Sequence, residues 1–133
     1  MKKNILIAAI ILFTTSIFIG CSNDSPSVSE SNSSLIIGKW QITNSTKPDD
    51  YETCDYQSWI VFKTGGKYDD FDSCSNETSI GTWSVKNNVL TVISEEFPIP
   101  FAFTIKSLTN DTLILVVPDL LDGGTEEVTY KKI

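Results

Sequence analysis

The sequence predicts an all-β domain: an eight-stranded antiparallel up-and-down meander that closes into a small barrel. Two observations lead there. From Leu35 onward, short apolar alternations are separated by turn residues, the period-two texture of half-buried strands. The same region holds no apolar stripe at helical spacing of useful length. Strands joined this tightly pair as consecutive hairpins, and closing the meander removes its exposed edges.

The first strand is expected over about 36–44, where Trp40 and Ile42 alternate with Lys39, Gln41 and Thr43. Trp59 to Lys63 is an apolar run ended by Thr64-Gly65-Gly66-Lys67, a hairpin signal, and Tyr68 to Asp72 returns from it. Thr82 to Lys86 and Val89 to Ser94 flank Asn87-Asn88, whose tolerance of positive φ suits a two-residue turn. Phe101, Phe103 and Ile105 alternate with Ala102, Thr104 and Lys106. Thr109-Asn110-Asp111 then turns the chain into Thr112 to Val117, Pro118 closes that strand, and Gly123-Gly124 leads to the last, Glu126 to Lys132.

The first 20 residues read differently. Lys2 and Lys3 precede an uncharged, mostly apolar run from Ile5 to Gly20, which is short against the roughly 20 apolar residues of a membrane-spanning helix. This is the layout of a signal peptide, without an A-x-A-like cleavage site. Its end, Phe18-Ile19-Gly20-Cys21, resembles the lipobox of bacterial lipoproteins. That resemblance implies cleavage before Cys21, acylation of its thiol, and a protein held to membrane lipid outside the cytoplasm. Each buried methylene contributes about 0.8 kcal/mol, so two or three acyl chains make a durable tether where one is marginal. The expected location is the cell envelope, lipid-anchored at the outer membrane.

Residues 21–34 then serve as a lipidated cysteine and linker. Between Ser22 and Ser34 the only large apolar residue is Val28, too little to offset the entropy of ordering, so a flexible leash is expected. Such a leash would span roughly 20 Å on average. The domain proper is 35–133.

Charge and composition exclude several chemistries. Without residues 1–20 the chain carries eight Lys against 17 acids, a net charge of −9, with no Arg and no His. Nucleic-acid binding, which needs clustered cations, is disfavoured. An imidazole base and a His-containing metal site are excluded. Neither a G-x-S-x-G elbow nor a Gly-rich phosphate loop followed by a helix occurs, so no enzyme and no cofactor are expected.

With Cys21 assigned to lipid, Cys54 and Cys74 remain, in polar segments near strand ends and in an oxidising compartment. One disulfide is expected, and closing a loop of about 20 residues is worth roughly 3 kcal/mol. Seven acids lie nearby: Asp49, Asp50, Glu52, Asp55, Asp69, Asp70 and Asp72. Oxygen ligands suit Ca²⁺, but the spacing matches no EF-hand loop, and the acids are read as solvated surface with no metal.

A family resemblance gathers these features. Gly38-Lys39-Trp40 opens the first strand, and G-x-W at that place resembles the lipocalin signature. The wider set is Cys54, Ile60-x-Phe62, Gly65-Gly66, Cys74, Gly81-Thr82-Trp83, Asn88-x-Leu90, Ile105-x-x-Leu108 and the closing Thr129-Tyr130-Lys131-Lys132-Ile133. Together it resembles the small lipocalin-like lipoproteins of the Bacteroidetes, over nearly all of 35–133. The T-D-Y-type motif of full lipocalins and their late Arg, which stacks on the Trp, are both missing, which leaves the stacking role to Lys131 or Lys132. The resemblance implies a barrel that accepts a small hydrophobic ligand. Its wall would come from Trp40, Ile42, Ile60, Phe62, Trp83, Leu90, Phe101, Phe103, Leu113, Leu115 and Tyr130. The alternative is a structural or protein-docking module of the envelope with no ligand, for which Tyr51, Tyr56 and Trp59 are candidate outward contacts.

Overall fold

The computed structural model describes residues 28–119 and 123–133. Cys21 and the expected signal peptide, 1–20, lie outside the described residues. The described chain forms a helix, α1 (Val28–Leu35), and eight strands: β1 (Gly38–Ser45), β2 (Trp59–Lys63), β3 (Lys67–Asp72), β4 (Glu77–Lys86), β5 (Val89–Ser94), β6 (Phe101–Leu108), β7 (Thr112–Pro118) and β8 (Thr125–Lys132). Every strand pairs antiparallel with its neighbour in sequence, and β8 returns to β1, so the sheet is a closed barrel. All eight expected strands are present.

The turns follow from their residues. Asn87 and Asn88 both take positive φ, at 52° and 60°, in the two-residue connection between Lys86 and Val89. Gly65 and Gly66, also at positive φ, turn β2 into β3. These connections and 109–111 lie at one end of the barrel. The other end carries the longer links 46–58, 73–76 and 95–100.

Two expectations need correction. Residues 28–34 of the supposed leash are helical, because the segment joining them to β1 is anchored. Ile36 is fully buried at the shorter-looped end of the barrel. The Lys132 ammonium donates to the carbonyls of Leu35 (3.0 Å) and Ile37 (2.8 Å), and Trp40 Nε1 donates to the carbonyl of Ile36 (2.6 Å). Asn32 Nδ2 also donates to Asn88 Oδ1 at 2.7 Å. The Leu35 carbonyl at the helix end and the Ile36 and Ile37 carbonyls just after it thus find partners in the barrel, and a cation sits where the helix dipole is negative. Local composition could not register this tertiary capture.

The second correction concerns β4, which begins at Glu77 rather than near Thr82. Its first half, Glu77-Thr78-Ser79-Ile80-Gly81, lacks the alternation that marks a strand, yet it pairs in register with β3 from Asp72 back to Tyr68. Gly81 is required there. A Cβ would lie 2.1 Å from the Ile93 carbonyl oxygen and 2.6 Å from a ring carbon of Tyr68.

The core sits toward the shorter-looped end, around Ile36, Trp40, Phe62, Leu90, Ile105 and Leu113. Trp40 is fully buried, with the Lys132 ammonium 4.8 Å from its ring centre. Lys132 therefore takes the stacking place left open by the missing Arg. Replacing Lys132 by Met should cost about 2 kcal/mol, because it leaves two carbonyls unpaired and removes a cation from the Trp40 ring. Urea unfolding of the variant checks this; a loss below about 0.5 kcal/mol would show that the seal does not depend on the ammonium.

A cavity at the open end of the barrel

Strand alternation sends one side chain in two into the barrel. From the open end inward these include Asp72, Asp70 and Tyr68 on β3, Ser45 and Ile42 on β1, Ile60 and Phe62 on β2, and Val117, Leu115 and Leu113 on β7. They do not fill it. A cavity of about 350 Å³ lies above the Phe62–Leu90–Leu113 floor and opens beside Asp55, Ser58 and Asp72. This volume is at the lower end of the range for small-molecule sites.

Most of the wall is apolar. Of the eleven residues expected to line a cavity, Ile42, Ile60, Phe62, Leu90, Phe103, Leu113, Leu115 and Tyr130 do so. Three do not. Trp40 lies beneath the floor, fully buried against Ile36. Trp83 is engaged at the barrel wall, where its Nε1 donates to the carbonyls of Lys63 and Lys67 and its ring meets Phe62 edge-on at 5.5 Å. Phe101 is 43 % exposed and lies in a shallow hollow at the rim with Pro100, Val117 and Pro118.

Sequence reasoning missed Tyr68, Asp70, Asp72, Val92, Val117, Asp55 and Ser58 as lining residues, and with them Trp59 and Phe71, which border the cavity although strand parity turns their side chains outward. The signal was available for the first three. Tyr68, Asp70 and Asp72 alternate along β3 and so share one face, the face that Tyr68 places inward.

The acids expected to form a loose surface cluster are separated by the fold. Asp69 faces outward and pairs with Lys63. The Asp72 carboxylate accepts from the backbone N–H groups of Cys74 and Ser75, which hold its pKa below the ordinary carboxylate value. Asp55 accepts from the Glu52 N–H at 2.7 Å. Cys54 and Cys74 are disulfide-bonded, with Cα atoms 5.1 Å apart, and tie the 46–58 connection to the β3–β4 turn at the cavity mouth. Close groups of possible metal-binding atoms among the described residues, such as Asp55 with Asp72, each include a sulfur of this disulfide, which has no thiolate to offer a cation.

Asp70 is different. Its side chain points inward from β3 into the cavity and stays exposed to water through the mouth, and no donor meets it among the described residues. Burial, and then the neighbouring Asp72 charge, push its pKa up to about 6. Tyr130 on β8 faces the same space. Burial, followed by Tyr51, Asp70 and Glu126, drives its phenol well above the ordinary tyrosine range. At the rim the Tyr51 hydroxyl donates to Glu126 Oε1, and Ser45 Oγ donates to Glu126 Oε2, both at 2.9 Å. Tyr51 is thus held to the barrel and is not a free outward contact. Trp59 does face outward, stacked on Phe71 beneath the Lys39 ammonium.

The Asp70 shift has a thermodynamic sign. The folded state holds this proton more tightly than the unfolded chain, so stability falls as pH rises from about 4 through about 6. Asp70→Asn should therefore raise stability near neutral pH, by about 1 kcal/mol once water in the cavity is allowed for, and change little at about pH 4. Thermal unfolding of both proteins at the two pH values checks this; equal differences at both would contradict it.

Comparison with known proteins agrees with this architecture. Residues 36–115 match the lipocalin-like domain family. A lipocalin-like protein from Bacteroides uniformis superposes with a TM-score of 0.55 at 16 % identity, covering 74 % of this chain and 99 % of that one. An uncharacterized protein from Bacteroides eggerthii does so with a TM-score of 0.54 at 15 % identity, covering 73 % of this chain and 98 % of that one. No curated protein matches the chain. With the closed eight-stranded meander and the G-x-W opening of β1, the match over most of the barrel establishes that the chain belongs to the lipocalin-like domain family.

Proposed function

We propose that this protein is a membrane-anchored lipoprotein of the cell envelope whose barrel holds a small hydrophobic ligand. The observation that carries the binding reading is the cavity of about 350 Å³, lined by Ile42, Ile60, Phe62, Leu90, Leu115 and their neighbours. An apolar space of this size, open to solvent, loses favourable packing when empty, and an apolar guest recovers it. The absence of His and of any nucleophile motif in the sequence argues for a non-enzymatic role. Native mass spectrometry of the protein released from its host envelope should show a co-purifying molecule of low mass. Protein that is uniformly empty and also fails to take up an apolar reporter would refute the binding reading.

The anchor rests on Lys2, Lys3, the apolar run to Gly20 and Cys21. Cys21→Ala should abolish labelling by radioactive palmitate and release the protein from the membrane fraction. Labelling that persists in the variant would rule out Cys21 as the site of lipid attachment, whatever the barrel binds.

A second reading, docking to a protein of the envelope, has one observation in its favour. Phe97 and Ile99 in the β5–β6 connection are 65 % and 63 % exposed, and Phe101 follows them at the cavity rim. An apolar rim of this kind also suits a mouth through which an apolar ligand passes. The same mass-spectrometric measurement separates the two, since docking predicts a protein partner in place of the small molecule.

A further inference from the structure

The cavity has a charge character that the family resemblance does not supply, and it bears on which hydrophobic molecules fit. No Lys lines the cavity among the described residues, and the chain has no Arg or His. The polar groups on its wall are the carboxyls of Asp55, Asp70 and Asp72, the hydroxyls of Ser58, Tyr68 and Tyr130, and backbone. Those facing Asp70 can be followed element by element. On its own strand they are Tyr68 and Asp72, across β4 the register partner is Ser79, and from β8 it is Tyr130. On β2 the partner is Ile60, and the 46–58 connection contributes Asp55. None is a cation.

Asp70, exposed to water in the cavity, and the half-buried Tyr130 thus face a largely apolar wall with no protein hydrogen-bond partner among the described residues. A guest bearing a carboxylate would meet three carboxyls and no compensating cation. A purely apolar guest would strip water from Asp70 and leave nothing in its place, which is costly for a charged group. A guest with an ammonium group would supply the missing partner, and a charge-assisted hydrogen bond is strongest where water is excluded.

We infer that the ligand is a hydrophobic amine, its apolar body resting on the Phe62–Leu90–Leu113 floor and its ammonium group meeting the Asp70 carboxylate. This rests on the binding reading above and adds the ligand's chemical class. Tyr130, on the neighbouring wall, offers its hydroxyl oxygen as a second acceptor. The raised pKa of Asp70 is what an unmatched carboxyl in such a place should show, and a bound ammonium would lower it again.

The test compares guests of one shape and different charge. Full-length protein in lipid nanodiscs is titrated calorimetrically near neutral pH with adamantylamine, adamantanol and adamantane carboxylate, with empty nanodiscs subtracted. Adamantylamine should bind at least roughly tenfold more tightly than adamantanol, and adamantane carboxylate more weakly than either. In Asp70→Asn the preference for amine over alcohol should shrink to within about threefold, with the circular dichroism of the barrel retained. Carboxylate binding as tight as amine binding would overturn the inference while leaving the cavity a binding site. An amine preference untouched in Asp70→Asn would overturn the role given to Asp70. If none of the three binds, the reading on which the inference rests fails, and the inference falls with it.

Discussion

The indole of Trp40 lies fully buried where the chain enters the barrel, and the groups around it settle what the entering segment leaves unpaired. The last carbonyl of helix α1, on Leu35, has no partner further along the helix, and the carbonyls of Ile36 and Ile37 follow it before β1 begins. Trp40 takes one of them and the Lys132 ammonium takes two, while the same ammonium stands over the Trp40 ring. Residues near opposite ends of the domain thus complete one seal. Ile36, drawn in beneath it, gives the core an apolar base.

A sealed end is what allows the opposite end to stay unfilled. The buried layer of Phe62, Leu90, Ile105 and Leu113 packs the closed end, and above it the paired strands surround a cavity that their side chains leave unfilled. The polar groups at the open end are held apart by separate local bonds. Asp72 caps a turn, Asp55 closes a short helical turn, Glu126 receives Tyr51 and Ser45, and the disulfide fixes the 46–58 connection at the mouth. Of the carboxyls lining the cavity, Asp55 and Asp72 have these local donors, and Asp70 has none among the described residues.

The barrel was legible in the sequence because its strands alternate and its turns carry their own chemistry. Asn87-Asn88 and Gly65-Gly66 each name a hairpin, and Phe101-x-Phe103-x-Ile105 shows which face is inside. The first half of β4 was not legible, since Ser79 and Gly81 carry no apolar signal and owe their strand geometry to β3. Helix α1 was hidden for a related reason: its sequence is polar, and its anchors are Lys132 and Asn88, each more than 50 residues away. The cavity wall was readable where large apolar residues alternate. Asp70 was not, because a carboxylate beside Asp69 reads as surface until strand parity is applied. Trp40 and Trp83 misled in the other direction, as aromatic size suggested a ligand wall where the structure uses each ring, with its N–H bonded to backbone, to pack a wall or a floor.

The pairing of β8 with β1 has a consequence for how the molecule comes into being. The ladder that joins Ser45 to Val128 and Trp40 to Lys132 cannot form until the last residues of the chain are available. Contacts of such long sequence separation make folding slow compared with that of local hairpins. Without β8 the seven preceding strands would leave two open edges, and the pairing of β8 with both β7 and β1 abolishes them together.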